Sequence, residues 1–77
     1  MNVKEEVFKI VAAVCETEVE NITDQTTVGD FPGWDSMGQL NILQQVEEAL
    51  GISFEPEELM EMEDVADIIK AAEEKLQ

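Results

Sequence analysis

Apolar residues recur at helical spacing in three stretches of this chain, and no stretch alternates apolar and polar residues long enough to argue a strand. That pattern points to a helical bundle, because each helix has one apolar stripe to bury and only other helices to bury it against. The first stripe is Val3, Val7, Ile10, Val11 and Val14, with Phe8 flanking it. Asn2 followed three residues later by Glu5 gives this stretch a capping-box-like start. The spacing predicts a first helix running to about Glu16. Glu5 precedes Lys9 by one turn in the favourable order. Cys15 extends the buried edge as a small hydrophobe.

From Thr17 to Asp35 the periodicity stops, and Asn21-Ile22-Thr23-Asp24, Gly29-Asp30 and Phe31-Pro32-Gly33 supply turn-forming residues instead. A connection this long needs pinning by its own side chains, and Val19, Ile22, Val28 and Phe31 are the candidates. The second stripe, Met37, Leu40, Leu43, Val46 and Leu50, predicts a helix over Ser36–Leu50, ended by Gly51 in the left-handed position that glycine favours. After Ile52 and Phe54, the run Glu55-Pro56-Glu57-Glu58 opens a short third helix to about Met62, with proline in the first turn and acids at the positive end of the dipole. Met60 and Met62 read as gap-filling core or edge residues. Asp64 caps a final helix carrying Val65, Ile68, Ile69, Ala72 and Leu76. The expected fold is all-α: one domain over residues 1–77, a small four-helix bundle with three longer helices, a short third one, and a long loop between the first two.

The chain's formal net charge is -15, and its four basic side chains, Lys4, Lys9, Lys70 and Lys75, all lie near the ends. Between Ile10 and Ile69 the surface therefore has a single sign. It repels nucleic acid and anionic membranes and favours partners that present lysine or arginine. The longest apolar run, Ile10 to Cys15, is far too short to span a bilayer, so no membrane insertion is expected. The opening residues carry Glu5 and Glu6 where a secretory signal would be basic. A lone cysteine also excludes an intramolecular disulfide. These features point to the cytoplasm.

Catalytic and metal chemistry finds little to work with. There is no histidine, arginine, tyrosine or second cysteine, which removes the usual triads and zinc sites. The twelve residues from Asp24 to Asp35 mimic a calcium loop in length, with Gly29 in sixth place. The ligand positions fail, because Thr26, Val28 and Pro32 stand where the third, fifth and ninth places need donors. No catalytic residue and no metal site is expected.

Ser36 is the residue that invites chemistry. It sits where the long loop meets an amphipathic helix, where free backbone N–H groups and the dipole favour a phosphate. Position alone also fits a second reading, since Ser36 with Gln39 three residues on forms an acceptable capping box.

The surrounding pattern decides between the two readings. Asp35-Ser36-Met37 is followed by Leu40, Leu43, Val46-Glu47-Glu48 and Leu50-Gly51-Ile52, and then by the acidic Phe54-Glu55-Pro56-Glu57-Glu58 before a last helix. Over essentially the whole chain this resembles the acyl carrier protein family, whose signature at the serine is Asp-Ser-Leu. The resemblance implies a carrier, not an enzyme, with 4'-phosphopantetheine from coenzyme A joined covalently to Ser36 by a phosphopantetheinyl transferase, which supplies magnesium and activation. It implies that acyl groups ride as thioesters on the arm, and that Asp35, Met37, Glu47 and Glu48 dock the basic patches of acyl-loading and acyl-processing enzymes onto a monomeric carrier. It also implies an acyl chain sheltered among Phe8, Leu43, Val46, Phe54, Ile68 and Ile69, residues that would otherwise simply be core. Aminoacyl and peptidyl carriers share the arm and much of the fold, and an arm-less acidic adaptor is the alternative from another class.

The chain departs from the fatty-acid carriers it resembles on the exposed side of the second helix. Gly38 stands where they have an acid after the signature, and Asn41, Gln44 and Gln45 leave the face neutral. A glycine in the second helix costs up to about 1 kcal/mol relative to alanine and is expected to loosen the serine's turn. The neutral face suggests a specialised carrier with its own loading enzyme.

Overall fold

In the computed structural model, which describes residues 2–77, the Asn2 side chain accepts a hydrogen bond from Glu5 N at 3.2 Å and opens α1, Val3–Cys15. The helix ends because Glu16 turns left-handed, at φ 56°, and donates its N–H back to Ala12 and Ala13. α2 spans Ser36–Leu50 and stops at Gly51, whose φ of 67° is the left-handed conformation glycine adopts without strain. α3, Pro56–Glu61, starts on a reciprocal capping box between Glu55 and Glu58. α4, Val65–Leu76, is capped by Asp64, which accepts from Asp67 N at 2.8 Å. Among the described residues the ordered elements are these four helices and one 3₁₀ turn at Val19–Asn21.

α1, α2 and α4 pack on one another around a single core. Val7, Val11, Ile42, Val46, Val65 and Ile68 are fully buried there, and Leu43 nearly so. All six residues expected to shelter an acyl chain belong to this cluster: Leu43, Val46, Phe54 and Ile68 are buried in it, and Phe8 and Ile69 pack against it. α3 contributes no fully buried residue of its own, only half-buried Leu59 packed against the core. Met62 is 4% exposed where α3 gives way to α4, whereas Met60 is 84% exposed and is no part of the core.

The stripe expected on α2 is turned relative to the one that forms. Met37 and Leu40 are 75% and 57% exposed, and Ile42, which the expected stripe omitted, is fully buried. The reason is packing: α1 and α4 pack on α2, whose buried residues are Gly38, Ile42, Leu43, Val46 and Leu50, so Met37 and Leu40 on the other side face water.

The long loop is ordered by different means than its apolar residues suggested. Ile22 is buried and Phe31 packs on the core, but Val19 and Val28 are both 41% exposed. The main anchor is Trp34, which is fully buried. Backbone bonds add to it: Val28 N donates to Glu63 O at 3.2 Å, while Val65 N and Ala66 N donate to Thr26 O and Asp24 O, both at 3.0 Å. The loop is thereby sewn to the α3–α4 junction by paired backbone groups.

Candidate functional site

Asp35, and not Ser36, takes the capping role at the head of α2. Asp35 is the N-cap of α2, its Oδ1 accepting from Gly38 N at 2.8 Å, so Ser36 is the first helical residue and not the cap. The capping box expected of Ser36 and Gln39 does not form. Either neighbour has a side chain suited to capping, and the longer carboxylate reaches the third N–H. Ser36 is exposed, and among the described residues no hydrogen bond engages its hydroxyl. The backbone N–H groups of Ser36 and Met37 precede the helix's own bonding ladder and carry no intrahelical partner. The first turn contains no acid beyond the cap itself, so the dipole of this 15-residue helix meets an added phosphate without a further carboxylate beside it.

Gln39 has another task. Its Oε1 accepts from Trp34 Nε1 and its Nε2 donates to Met62 O, both at 2.6 Å. One side chain therefore ties the residue two before Ser36 to the end of α3.

Gly38 does not loosen the turn. It is buried, and a Cβ there would overlap the carbonyl oxygen of Gly33; a Cβ on Gly33 would in turn stand 2.6 Å from Val14 O. Two glycines thus let the serine turn, the loop and the end of α1 approach at backbone distance. Sequence reasoning read Gly38 as a propensity cost because its partner is a backbone atom with no signature in the residue pattern.

The remaining site residues separate by role. Met37 and Glu48 are exposed beside Ser36 and farther along α2. Glu47 is half-buried, and its Oε2 accepts from Phe54 N at 2.7 Å, which closes the turn after α2. Asn41, Gln44, Gln45, Met37 and Leu40 line a groove of about 700 Å³ that reaches Val14 at the end of α1. Gln45 donates to Asn41 at 2.9 Å, so these amides are partly satisfied by one another. The acids of the calcium-like loop have structural partners, Asp24 pairing with Lys4 at 3.5 Å and Asp30 accepting from Thr27 N at 2.9 Å. Burial pushes the Cys15 thiol above its ordinary pKa, which keeps it protonated and inert.

The carrier class rests on two comparisons with known proteins. The family model described as "Phosphopantetheine attachment site" matches residues 5–72. The solution NMR structure of the holo acyl carrier protein from Geobacter metallireducens superposes with a TM-score of 0.82 at 25% sequence identity, over 99% of this chain and 87% of that one. No curated protein matches the sequence. The chain belongs to the phosphopantetheine-binding acyl carrier protein family, and with it to the non-catalytic carriers whose cofactor is covalently attached phosphopantetheine. No helix among the described residues is long and apolar enough to cross a membrane.

Proposed function

We propose that Ser36 is the attachment point and that a phosphopantetheinyl transferase joins the arm to it. The observation that carries this reading is the Ser36 hydroxyl, exposed and without a hydrogen-bond partner among the described residues, at the first position of α2. In the transfer, the Ser36 oxygen forms a bond to the β-phosphorus of coenzyme A. The adenosine bisphosphate portion leaves with the electron pair of the broken P–O bond, and the hydroxyl proton passes to a base on the transferase. The free N–H groups of the first turn then face the phosphodiester. When attached, the arm supplies the thiol on which an acyl group is held.

Asp35, Met37, Glu47 and Glu48 divide between two jobs in this account. Met37 and Glu48 face partner enzymes, whereas Asp35 and Glu47 hold the ends of α2 and support that surface from within. Basic partner patches meet the acids of α3 and the end of α2, and the neutral first turns of α2 meet an apolar surface. This mixture supports a specialised monomeric carrier with its own loading enzyme, working in the cytoplasm.

The chain has two serines, Ser36 and Ser53, and both are exposed, so the assignment has an internal control. Loading by a broad-specificity transferase with coenzyme A and magnesium, followed by peptide mapping, places the added mass on the Ser36 peptide. Mass on the Ser53 peptide instead would refute the assignment.

A further inference from the structure

Trp34, Gln39 and Met62 form a chain of contacts that joins the serine turn to the far end of α3. The Trp34 indole is fully buried, and its Nε1–H ends on Gln39 Oε1 at 2.6 Å. The Gln39 amide then ends on the main-chain oxygen of Met62, the residue that closes α3 and is 4% exposed. Both bonds are short, and Gln39 is itself half-buried. Trp34 is fixed at its backbone as well: its N–H donates to Phe31 O and its carbonyl accepts from Gly29 N, both at 3.0 Å. Movement of the indole therefore moves the loop that carries Asp35 and Ser36.

At its other end the chain meets the least anchored helix. α3 has no fully buried residue of its own, and it is held by half-buried Leu59 packing on the core, by Met62, by the Glu58–Lys75 ion pair at 2.8 Å, and by the Glu63 carbonyl that accepts from Val28 N and from Thr27 Oγ1. Of these ties, only the one through Gln39 leads to the serine turn along side chains.

We propose that Gln39 is a positioning residue for arm attachment: it clamps the serine turn to α3, so that α3 and the presentation of Ser36 to the transferase move together. The part concerning Ser36 rests on the reading that this serine takes the arm. The clamp itself does not. An amide is the side chain this role requires, because one end must accept from an indole N–H while the other donates to a carbonyl. Loosening α3 removes the Met62 acceptor, frees the Gln39 amide and relaxes the indole. Tightening it orders the turn.

The single tryptophan gives the test a clean signal, since the indole N–H yields one resonance. We expect Gln39→Ala to speed hydrogen exchange of the Trp34 indole and of the Leu59 and Met62 amides about tenfold, the size of about one net hydrogen bond, while the α1 amides keep their wild-type rates. The kcat/KM for arm transfer should fall by about the same factor at a temperature where circular dichroism is unchanged. Gln39→Glu, ionised at neutral pH, keeps the acceptor for the indole but loses the donor to Met62. It should free the α3 amides and leave the indole better protected than in Gln39→Ala. Wild-type exchange at α3 in both variants, equal loss of protection throughout α1, or unchanged arm transfer in Gln39→Ala would each overturn the proposal. Failure of the wild-type chain to load at Ser36 would instead count against the attachment site, with the exchange measurements still deciding whether the clamp exists.

Discussion

Gly38 in α2 and Gly33 in the loop before it are in backbone contact, with the Gly33 carbonyl oxygen occupying the space that a Cβ on residue 38 would need. Two effects oppose each other at this position. Helix propensity alone favours Gly38→Ala by up to about 1 kcal/mol. Overpacking against an atom that cannot turn aside costs about 1–3 kcal/mol, and Gly33 cannot retreat because Val14 O lies behind it. We expect steric overlap to win, so that Gly38→Ala lowers stability in urea unfolding and Gly38→Asp, which restores the acid of fatty-acid carriers, lowers it further. A gain in stability for Gly38→Ala would mean that the turn has slack.

The cap, Asp35, and the proposed attachment residue, Ser36, are adjacent, and mutation should separate them. Asp35→Ala removes the bond to Gly38 N and should cost about 1 kcal/mol. Ser36→Ala removes an exposed hydroxyl that no described residue uses and should lie within about 0.5 kcal/mol of wild type. Equal losses for the two would return the cap to Ser36.

Much of this fold is readable from short-range signals. Asn2, Gly51, the Glu55-Pro56 pair and Asp64 each act within one helical turn, and each does what its position suggests. The misreadings arise where the deciding partner is distant. Seven apolar residues on α2 surround too much of the helix to name one face, and only the packing of the other elements on α2 determines that Ile42 goes in while Met37 and Leu40 stay out. The link from Gln39 to Met62 crosses 23 positions, so nothing local marks it. Ser36 stands out in the sequence only through the surrounding pattern, Asp35-Ser36-Met37 followed by Leu40, Leu43 and Val46-Glu47-Glu48, because by position alone it is equally a helix cap. Its helix position is not legible there, because Asp and Ser side by side are both competent caps.

Glu58 and Lys75 tie α3 to α4, and their titration should show it. The Lys75 side chain holds the Glu58 carboxyl below the usual carboxylate range, aided by the Glu55 N–H, and Glu58 raises the Lys75 ammonium above its ordinary value. For Glu58 the contribution is present above the ordinary glutamate pKa and is lost as pH falls through the lowered one. For Lys75 it is present below the ordinary lysine pKa and is lost as pH rises through the raised one. Lys75→Met should move the Glu58 titration, followed by carboxyl NMR, back toward ordinary glutamate and speed amide exchange in α3. An unmoved titration would show that the pair does not persist in solution.

Met37 and Leu40 should matter to partners more than to the fold. At 75% and 57% exposure, their truncation to alanine should change stability by no more than about 0.5 kcal/mol. The same changes should raise the KM for arm transfer several-fold, whereas added salt should weaken docking through the neutral face only modestly. Unchanged KM values combined with a steep salt dependence would show that the acids alone direct docking.

The central claim, that Ser36 carries the arm, is tested most directly by intact-protein mass spectrometry of wild type and Ser36→Ala after incubation with coenzyme A, magnesium and a broad-specificity phosphopantetheinyl transferase. The prediction is a single phosphopantetheine-sized gain in the wild type and none in a variant whose circular dichroism is unchanged. No gain in folded wild type, or the same gain in Ser36→Ala, would contradict it.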